Sequence, residues 1–255
     1  MAFVIAVVGK GGVGKTTLSG MLVQHLSNQG KGSILAVDAD SNSNLNEVLG
    51  LQVSGTLSEI REDLDKRKFD LRRDMSVDEL EDYTSVKMDE AITHGDDYDL
   101  LVMGRSQGKG CYCYANEVLR RQIERVSANY DYILVDNAAG MEHISRGIFP
   151  HIDVTILVSD CSRRGVLSAG RINRLVKEIG YDPSIMGLVV NMTPDGVLDA
   201  GTAEEVENQE LNLIGVVPQN DQVFDYDCDG IPLVDLPESS PVKAALSGIF
   251  ERIGL

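Results

Sequence analysis

The sequence predicts an α/β fold in which a mostly parallel central sheet carries helices on both faces. Short apolar runs alternate with stretches in which apolar residues recur at helical spacing. Several runs end in Asp or Asn, at the strand edge where open parallel sheets bind ligands. With 255 residues, of which 43% are hydrophobic, the chain can bury the core of one such domain. The runs are residues 3–8, 33–37, 98–104, 132–136, 154–158, 186–191 and 212–218.

Residues 9–17, Gly-Lys-Gly-Gly-Val-Gly-Lys-Thr-Thr, connect the first run to a helical pattern that extends from Lys15 to Asn28. This is the G-x-x-x-x-G-K-[ST] motif in a strand–loop–helix context, which is typical of a phosphate-binding P-loop. Backbone N–H groups and the helix dipole would hold phosphate oxygens, Lys15 would reach the β- and γ-phosphates, and Thr16 would bind Mg²⁺. A glycine-rich turn that binds nothing is the alternative. The predicted nucleotide-binding residues of the loop are Gly11, Gly12, Val13, Gly14, Lys15, Thr16 and Thr17.

Carboxylates follow two more of the predicted strands. Asp38 and Asp40 come directly after the second run, and Asp136 opens a D-x-x-x-G sequence that ends at Gly140. The latter has the shape of a Walker B motif joined to switch II, in which the aspartate holds Mg²⁺ and the glycine N–H senses the γ-phosphate. Because Ser41 begins a polar loop, turn or helix-capping aspartates are the alternative for Asp38 and Asp40.

The charge balance argues against two kinds of partner. Lys and Arg total 23 and Asp and Glu total 40, so the net charge is −17, and the chain has no basic block. Duplex DNA and anionic lipid are bound largely through Lys and Arg, so we expect no nucleic-acid and no membrane partner. The first apolar run is too short to span a membrane and leads straight into the loop, so we do not expect it to be a signal peptide. We therefore expect a cytoplasmic protein with reduced cysteines, in which Cys161 and Cys228 are isolated, buried thiols.

Cys111 and Cys113 form a C-x-C pair in a glycine-flanked stretch beyond the third predicted strand. Two thiolates supply half of the tetrahedral coordination that Zn²⁺ or another soft divalent ion prefers. A two-fold dimer would bring two such pairs together and complete a four-sulfur site. Because C-x-C spacing alone is a weak signal, two ordinary reduced thiols are the alternative.

Residues 51–97 carry the weakest pattern in the chain. Leu57, Ile60 and Leu64 suggest one helix, but charged residues are dense throughout the segment. We interpret it as an acidic insertion within a single domain that spans residues 1–255. An acidic surface that recognises a partner or attracts cations is the alternative.

Lys10 extends the loop motif to K-G-G-x-G-K-[ST], which resembles the deviant Walker A motif of the MinD/ParA/nitrogenase-iron-protein group of ATPases. The resemblance implies a P-loop NTPase fold and a homodimer that closes over two ATP molecules. In this group the extra lysine reaches the partner's nucleotide, so Lys10 would be catalytic together with Lys15, and Asp40 would position the attacking water. The magnesium residues implied are Thr16, Asp38 and Asp136.

Asn191 and Pro218 lie at the ends of the last two predicted strands, where this group binds the nucleotide base. GTPases carry N-K-x-D at the first position, with the aspartate accepting from guanine. The sequence here is Asn-Met-Thr-Pro-Asp over residues 191–195, which lacks both the lysine and an aspartate in register. The predicted nucleotide is therefore ATP.

The C-x-C pair, combined with these motifs, is similar to the CooC-type nickel-insertion ATPases that serve carbon monoxide dehydrogenase, or to relatives that serve acetyl-CoA synthase. The resemblance implies an ATP- or metal-dependent homodimer with Ni²⁺ or Zn²⁺ bridged at its interface by Cys111 and Cys113 of both copies. Its partner would be a nickel–iron–sulfur client enzyme. A MinD/ParA-like positioning ATPase and an Fe–S-carrying electron-transfer ATPase are the alternatives.

Overall fold

The computed structural model describes residues 1–40, 42–70, 77–105, 113–138, 151–178, 180 and 182–255. For residues 65–70, 77–78 and 113–117 the description is confined to the backbone. The Gly140, Cys111 and Ser41 positions of the sequence motifs lie outside the described residues.

An eight-stranded sheet forms the centre of the described chain, in the order β3-β4-β2-β5-β1-β6-β7-β8. Its strands pair in parallel, except that β3 runs antiparallel to β4 at one edge. The strands are β1 (Phe3–Gly9), β2 (Ile34–Ala39), β3 (Thr93–His94), β4 (Asp99–Val102), β5 (Tyr132–Asn137), β6 (Val154–Asp160), β7 (Ile185–Thr193) and β8 (Leu213–Pro218).

Helices connect the strands and cover the sheet on both sides. Helix α1 begins at Lys15 and ends at Asn28, as the sequence predicts. The described helices are α1 (Lys15–Asn28), α2 (Leu45–Leu49), α3 (Leu57–Asp70), α4 (Val77–Ala91), α5 (Cys113–Ser127), α6 (Arg163–Glu178), α7 (Ala200–Asn208), α8 (Asp221–Asp229) and α9 (Pro241–Arg252).

Two hydrophobic cores lie on opposite faces of the sheet. Alternate residues of a strand pack in one or the other, because successive strand side chains point to opposite faces. Ile5 and Val7 of β1 pack in the core that contains α1, α2 and α9. Val4, Ala6 and Val8 pack in the core that contains residues of α3 to α7. The predicted α/β fold, with a mostly parallel sheet and helices on both faces, is confirmed.

The acidic segment 51–97 contributes to one of these cores. Helix α3 forms where Leu57, Ile60 and Leu64 predict it, and all three side chains are buried. Met88 of α4 is fully buried in the same cluster. The charged residues of this segment therefore flank amphipathic helices whose apolar sides cover the β4 end of the sheet.

The isolated cysteines differ from expectation. Cys228 is exposed on α8, none of whose residues is buried, and Cys161 is half-buried. The prediction of a buried thiol is wrong for Cys228. Helix α8 carries four aspartates and lies on the surface, so the cysteine between two of them is exposed as well.

Candidate nucleotide-binding site

Three neighbouring strands bring the predicted phosphate and magnesium residues to one edge of the sheet. β5 lies between β1 and β2, and its Asp136 pairs with Val7 on one side and with Asp38 on the other. β1 leads directly into the loop of residues 9–17. Asp38 and Asp136 are therefore neighbours on adjacent strands, and β5, which carries Asp136, lies next to the strand that leads into the P-loop. This arrangement would allow both carboxylates to bind one cation.

The P-loop has the backbone conformation that its glycines allow. Gly12 and Gly14 have φ angles of 78° and 87°, in the left-handed region that favours glycine. A Cβ atom on Gly9 would come within 2.3 Å of the Val158 carbonyl oxygen on β6. The loop thus turns tightly against the sheet before α1 begins at Lys15.

Lys15 lies over the loop. Its Nζ donates to the main-chain oxygen of Lys10 at 3.1 Å, and only 7% of the residue is exposed. Burial lowers the pKa of Lys15, while the negative charges of Asp136 and Asp40 oppose that shift. The ammonium group is therefore held above the loop and close to two carboxylates, where it could bind phosphate oxygens.

Asp136 is buried between α1 and the sheet. Ser19 Oγ donates to Asp136 Oδ1 at 3.1 Å, and the Thr16 side chain also hydrogen-bonds this carboxylate. Burial raises the pKa of Asp136 to about 7, and the charge of Asp38 adds to this shift. Because Thr16 and Asp136 are in direct contact, the predicted magnesium residues from α1 and β5 are brought together.

Asp38 is fully buried and is held by two main-chain donors. The N–H groups of Asp40 and Leu45 donate to its Oδ1 and Oδ2 at 3.0 and 2.9 Å. Burial nevertheless raises the pKa of Asp38 to about 6. Two adjacent buried carboxylates beside a hydroxyl form the all-oxygen donor set that Mg²⁺ prefers, so these residues fit that ion.

Asp40 and Lys10 are the more accessible of the predicted catalytic residues. Asp40 is half-buried, and its Oδ1 accepts from the Asn42 N–H at 3.0 Å. The Lys10 side chain is exposed at the opening of the loop. Asp40 and Lys10 are thus accessible to a nucleotide bound at the edge of the site. Their catalytic roles stay predictions.

Asn191 contacts the P-loop from the opposite side. Its Nδ2 donates to the Val13 carbonyl oxygen at 2.9 Å, and a Cβ atom on Gly14 would lie 2.3 Å from the same nitrogen. Pro218 ends β8 and pairs with Thr193 of β7. The two residues predicted to bind the base therefore lie at the same edge as the loop, one and two strands beyond β6.

Sequence reasoning missed Ser19 and Asn137. Ser19 is fully buried in α1, one turn after Thr16, and it holds Asp136. The sequence feature that could have identified Ser19 is a hydroxyl residue at a position next to the apolar residues of α1. Asn137 follows Asp136 and is 1% exposed, with its amide hydrogen-bonded to main-chain oxygens. No pattern marked it, because its bonding depends on the neighbouring strand.

The predicted cysteine site falls largely outside the described residues. Cys113 is the first residue of α5, where only the backbone is described, and Cys111 precedes the described range. Elsewhere in the described chain, no group of three or more His, Cys, Asp or Glu side chains is arranged to hold a metal ion. Nor does any helix of the described ranges have the length and apolar character needed to cross a membrane.

Comparison with known proteins identifies the family. Residues 4–233 match the model of the CobQ/CobB/MinD/ParA nucleotide binding domain. The chain is 40% identical to the uncharacterized ATP-binding protein MJ0685 of Methanocaldococcus jannaschii, over 98% of both chains. It is 27% identical to the carbon monoxide dehydrogenase accessory protein CooC of Rhodospirillum rubrum, over 98% of this chain and 97% of that one.

The fold is shared with a solved structure, that of the cell division ATPase MinD of Pyrococcus furiosus. The two superpose with a TM-score of 0.71 at 23% identity, covering 100% of this chain and 99% of that one. The match over residues 4–233 establishes the family, and the shared fold and the P-loop geometry agree with it. The chain belongs to the CobQ/CobB/MinD/ParA nucleotide-binding family and is a P-loop ATPase.

Proposed function

We propose that this ATPase acts as a cytoplasmic homodimer that couples ATP binding and hydrolysis to the delivery of nickel to a client enzyme of the carbon monoxide dehydrogenase or acetyl-CoA synthase type. Nickel is the cargo, held between the two copies by Cys111 and Cys113 of each. The observation that carries the proposal is the C-x-C pair in a chain that aligns over almost its full length with a carbon monoxide dehydrogenase accessory protein.

In the proposed ATPase cycle, the P-loop amides and Lys15 bind the phosphates of ATP. Thr16, Asp38 and Asp136 would hold Mg²⁺, which when bound would neutralise charge at the phosphates. Asp40 orients the attacking water. Lys10 of one copy reaches the nucleotide of the other and stabilises the charge that develops during transfer, so that hydrolysis requires the dimer.

The position of the cysteines supports coupling between nucleotide and cargo. β4 ends beside Asp38, because Val102 pairs with Asp38 and the Met103 N–H donates to the Asp38 carbonyl oxygen at 2.8 Å. Cys111 follows Met103 by eight positions in the sequence, and Cys113 begins α5. One main-chain hydrogen bond and a short stretch of chain thus separate Asp38 from the two cysteines. If ATP alters nickel affinity, nickel must alter ATP affinity by the same factor.

The test is nickel stoichiometry and oligomeric mass of the reduced protein, with and without Mg-ATP. We expect one Ni²⁺ per two chains, lost in the Cys111→Ser/Cys113→Ser double variant while ATP binding is retained. The matched control is Cys161→Ser/Cys228→Ser, which removes the same number of thiols at isolated sites. Equal nickel binding by both double variants would reject the proposal.

A MinD-like positioning ATPase is the second candidate, favoured by the family match and by the fold of the MinD structure. Such a role needs a membrane-binding segment or a basic surface. Both cations of α9 bond to the protein itself. Lys243 Nζ donates to the Val234 carbonyl and to Glu238 at 3.0 and 3.1 Å, and Arg252 donates to the Ile214 carbonyl at 2.9 Å. Co-sedimentation with anionic liposomes in Mg-ATP would support this candidate.

The third candidate, an Fe–S-carrying electron-transfer ATPase, predicts a different cargo at the same cysteines. A thiolate-bound cluster would give the anaerobically purified protein a brown colour together with bound iron. Zinc in a four-sulfur site would be colourless, and a nickel thiolate site, although coloured, would contain no iron. An absorption spectrum of the reduced protein, together with its iron content, separates the two.

A further inference from the structure

The side chain of Asn137 links strands β1 and β5 one residue beyond the last pair of their backbone ladder. The β1–β5 register ends at the pair of Val7 and Asp136. Asn137 follows, and its Nδ2 donates to the Val7 carbonyl oxygen at 3.2 Å and to the Val135 carbonyl oxygen at 3.1 Å. The carboxamide therefore ties the end of β1 to the end of β5.

The orientation of this amide is fixed by its surroundings. Both hydrogens of Nδ2 meet carbonyl oxygens, so a flipped amide would place Oδ1 against two acceptors. In the observed orientation Oδ1 is buried and finds no hydrogen-bond partner among the described residues. A buried acceptor without a donor opposes folding and offsets part of what the two hydrogen bonds of Nδ2 contribute. The net gain in stability from this asparagine is therefore smaller than its two hydrogen bonds suggest.

The position of Asn137 offers another reason for an asparagine here. Val7 lies two residues before Gly9, where the P-loop begins, and Asp136 is the β5 carboxylate of the magnesium site. The Asn137 side chain projects to the opposite face of the sheet from Asp136, because neighbouring strand residues alternate. It can therefore fix the backbone beneath the site without contacting the nucleotide or the ion.

We propose that Asn137 is a positioning residue of the ATPase, which sets the distance between the phosphate loop and the magnesium carboxylate Asp136 by joining the ends of β1 and β5. This inference rests on the ATPase assignment and is independent of nickel delivery. Groups that orient a metal ligand from behind typically change metal affinity or activity about 10–100-fold when removed.

The test compares Asn137→Leu with the wild-type protein in three assays. We expect ATP affinity in EDTA to stay within about twofold, because the loop amides and Lys15 are untouched, whereas the Mg²⁺ concentration for half-maximal hydrolysis rises at least about tenfold. The melting temperature should fall by only a few degrees, because the Val7 and Val135 carbonyl oxygens lose a donor while removal of the unpaired Oδ1 offsets part of that cost.

Two further variants keep the result interpretable. Asn137→Ser has one hydroxyl donor and can reach one of the two carbonyls, so its Mg²⁺ requirement should lie between those of the wild-type and Asn137→Leu proteins. If the leucine variant fails to fold, the serine variant is compared with the wild type in the same three assays. Thr155→Val removes another buried oxygen that lacks a partner in the described chain. Thr155 lies near the amino end of β6, away from the carboxyl ends of the strands that form the site, so this variant should leave every assay unchanged.

Two outcomes would overturn the inference. In the first, the variants hydrolyse ATP with the wild-type Mg²⁺ requirement. In the second, they lose ATP affinity in EDTA and melting temperature together, which would make Asn137 a general structural residue. Neither outcome bears on the cysteine site, whose nickel stoichiometry is measured separately.

Discussion

Lys10 presents its side chain to solvent while its main-chain oxygen accepts a hydrogen bond from Lys15 Nζ. Truncating the side chain therefore leaves the loop contact intact. We predict that Lys10→Ala retains ATP binding but lowers kcat by about 10³-fold, the scale of a charge supplied in trans to phosphoryl transfer. Titration with a fluorescent ATP analogue and a phosphate-release assay separate the two effects.

The control for Lys10 is Lys31→Ala, which removes a lysine beyond the far end of α1 and should behave as wild type. Equal kcat values for the two variants would mean that Lys10 is an ordinary surface lysine. A parallel loss of binding and kcat in Lys10→Ala would instead mean that its side chain organises the loop.

Ser19 illustrates how one buried hydroxyl can orient a carboxylate that is predicted to bind Mg²⁺. Its Oγ donates to Asp136 at 3.1 Å, and both residues are buried. Ser19→Ala should lower the free energy of unfolding by about 1–3 kcal/mol, because Asp136 loses a donor in a site that water does not replace. Urea unfolding with EDTA present measures this change. Ser168→Ala, whose hydroxyl bonds only within its own helix, should cost no more than about 0.5 kcal/mol.

The P-loop contacts strand β7 closely at Gly14, which lies against the Asn191 side chain. Gly12 and Gly14 share a left-handed backbone, but only at Gly14 would a Cβ atom collide with a neighbour, the Asn191 amide at 2.3 Å. At Gly12 nothing lies within 4 Å. The two glycines therefore form a matched pair that separates backbone strain from steric contact.

We predict that Gly14→Ala weakens ATP binding more than Gly12→Ala, because the Asn191 amide must move away from the Val13 carbonyl to which it donates. Each substitution carries the left-handed backbone cost of about 1–2 kcal/mol, and Gly14→Ala also displaces Asn191 from the loop. Isothermal titration with ATP measures the difference. Equal losses in the two glycine variants would show that the contact with Asn191 does not shape the loop.

The paired ends of β2 and β5 make stability depend on pH. Burial raises the pKa of Asp38 to about 6 and that of Asp136 to about 7, above their ordinary values. The folded chain then binds protons more tightly than the unfolded chain, so stability without metal falls as pH rises from about 4 to 7, by at most about 1.4 kcal/mol per pH unit and group. Mg²⁺ needs the deprotonated carboxylates, so its stabilising effect grows over the same range.

Thermal melts in EDTA and in Mg-ATP between pH 5 and pH 8 test this. The EDTA curve should fall up to about pH 7 and then level, and the gain from Mg-ATP should rise over the same range. Asp136→Asn should flatten the EDTA curve, because it replaces the carboxyl with the higher pKa by a neutral group. A wild-type EDTA curve that rises with pH through this window would contradict the assignment of these two groups.

The elements differ in how far their sequence predicts them. β1, β2, β5, β6 and β7 are buried on both faces, so each is a continuous apolar run that stands out from its surroundings. Helices α3 and α4 bury one side only, and their charged faces obscure the pattern; Leu57, Ile60 and Leu64 marked α3, but nothing marked Met88 in α4. The P-loop is local in sequence and was predicted whole. The contacts of Ser19 with Asp136 and of Asn137 with Val7 join residues more than 100 positions apart, so no local sequence pattern could predict them.

At the scale of the whole molecule, the net charge of −17 opposes the association of two copies. If the ATPase dimerises as proposed, salt should favour the dimer, because the Debye length shrinks from about 30 Å at 0.01 M to about 8 Å at 0.15 M ionic strength. We predict that the dissociation constant of the Mg-ATP-dependent dimer falls several-fold over this range.

Sedimentation velocity in Mg-ATP at several salt concentrations measures this prediction, with Lys15→Ala as a control that should stay monomeric throughout. The sign of the effect is informative, because binding to DNA or anionic lipid weakens with salt. A dimer that tightened with salt would show that the joined surfaces are held by contacts other than long-range attraction between unlike charges. A dimer that weakened with salt would place complementary charges across the interface, and Lys10 facing the partner's nucleotide would then be one source of that attraction.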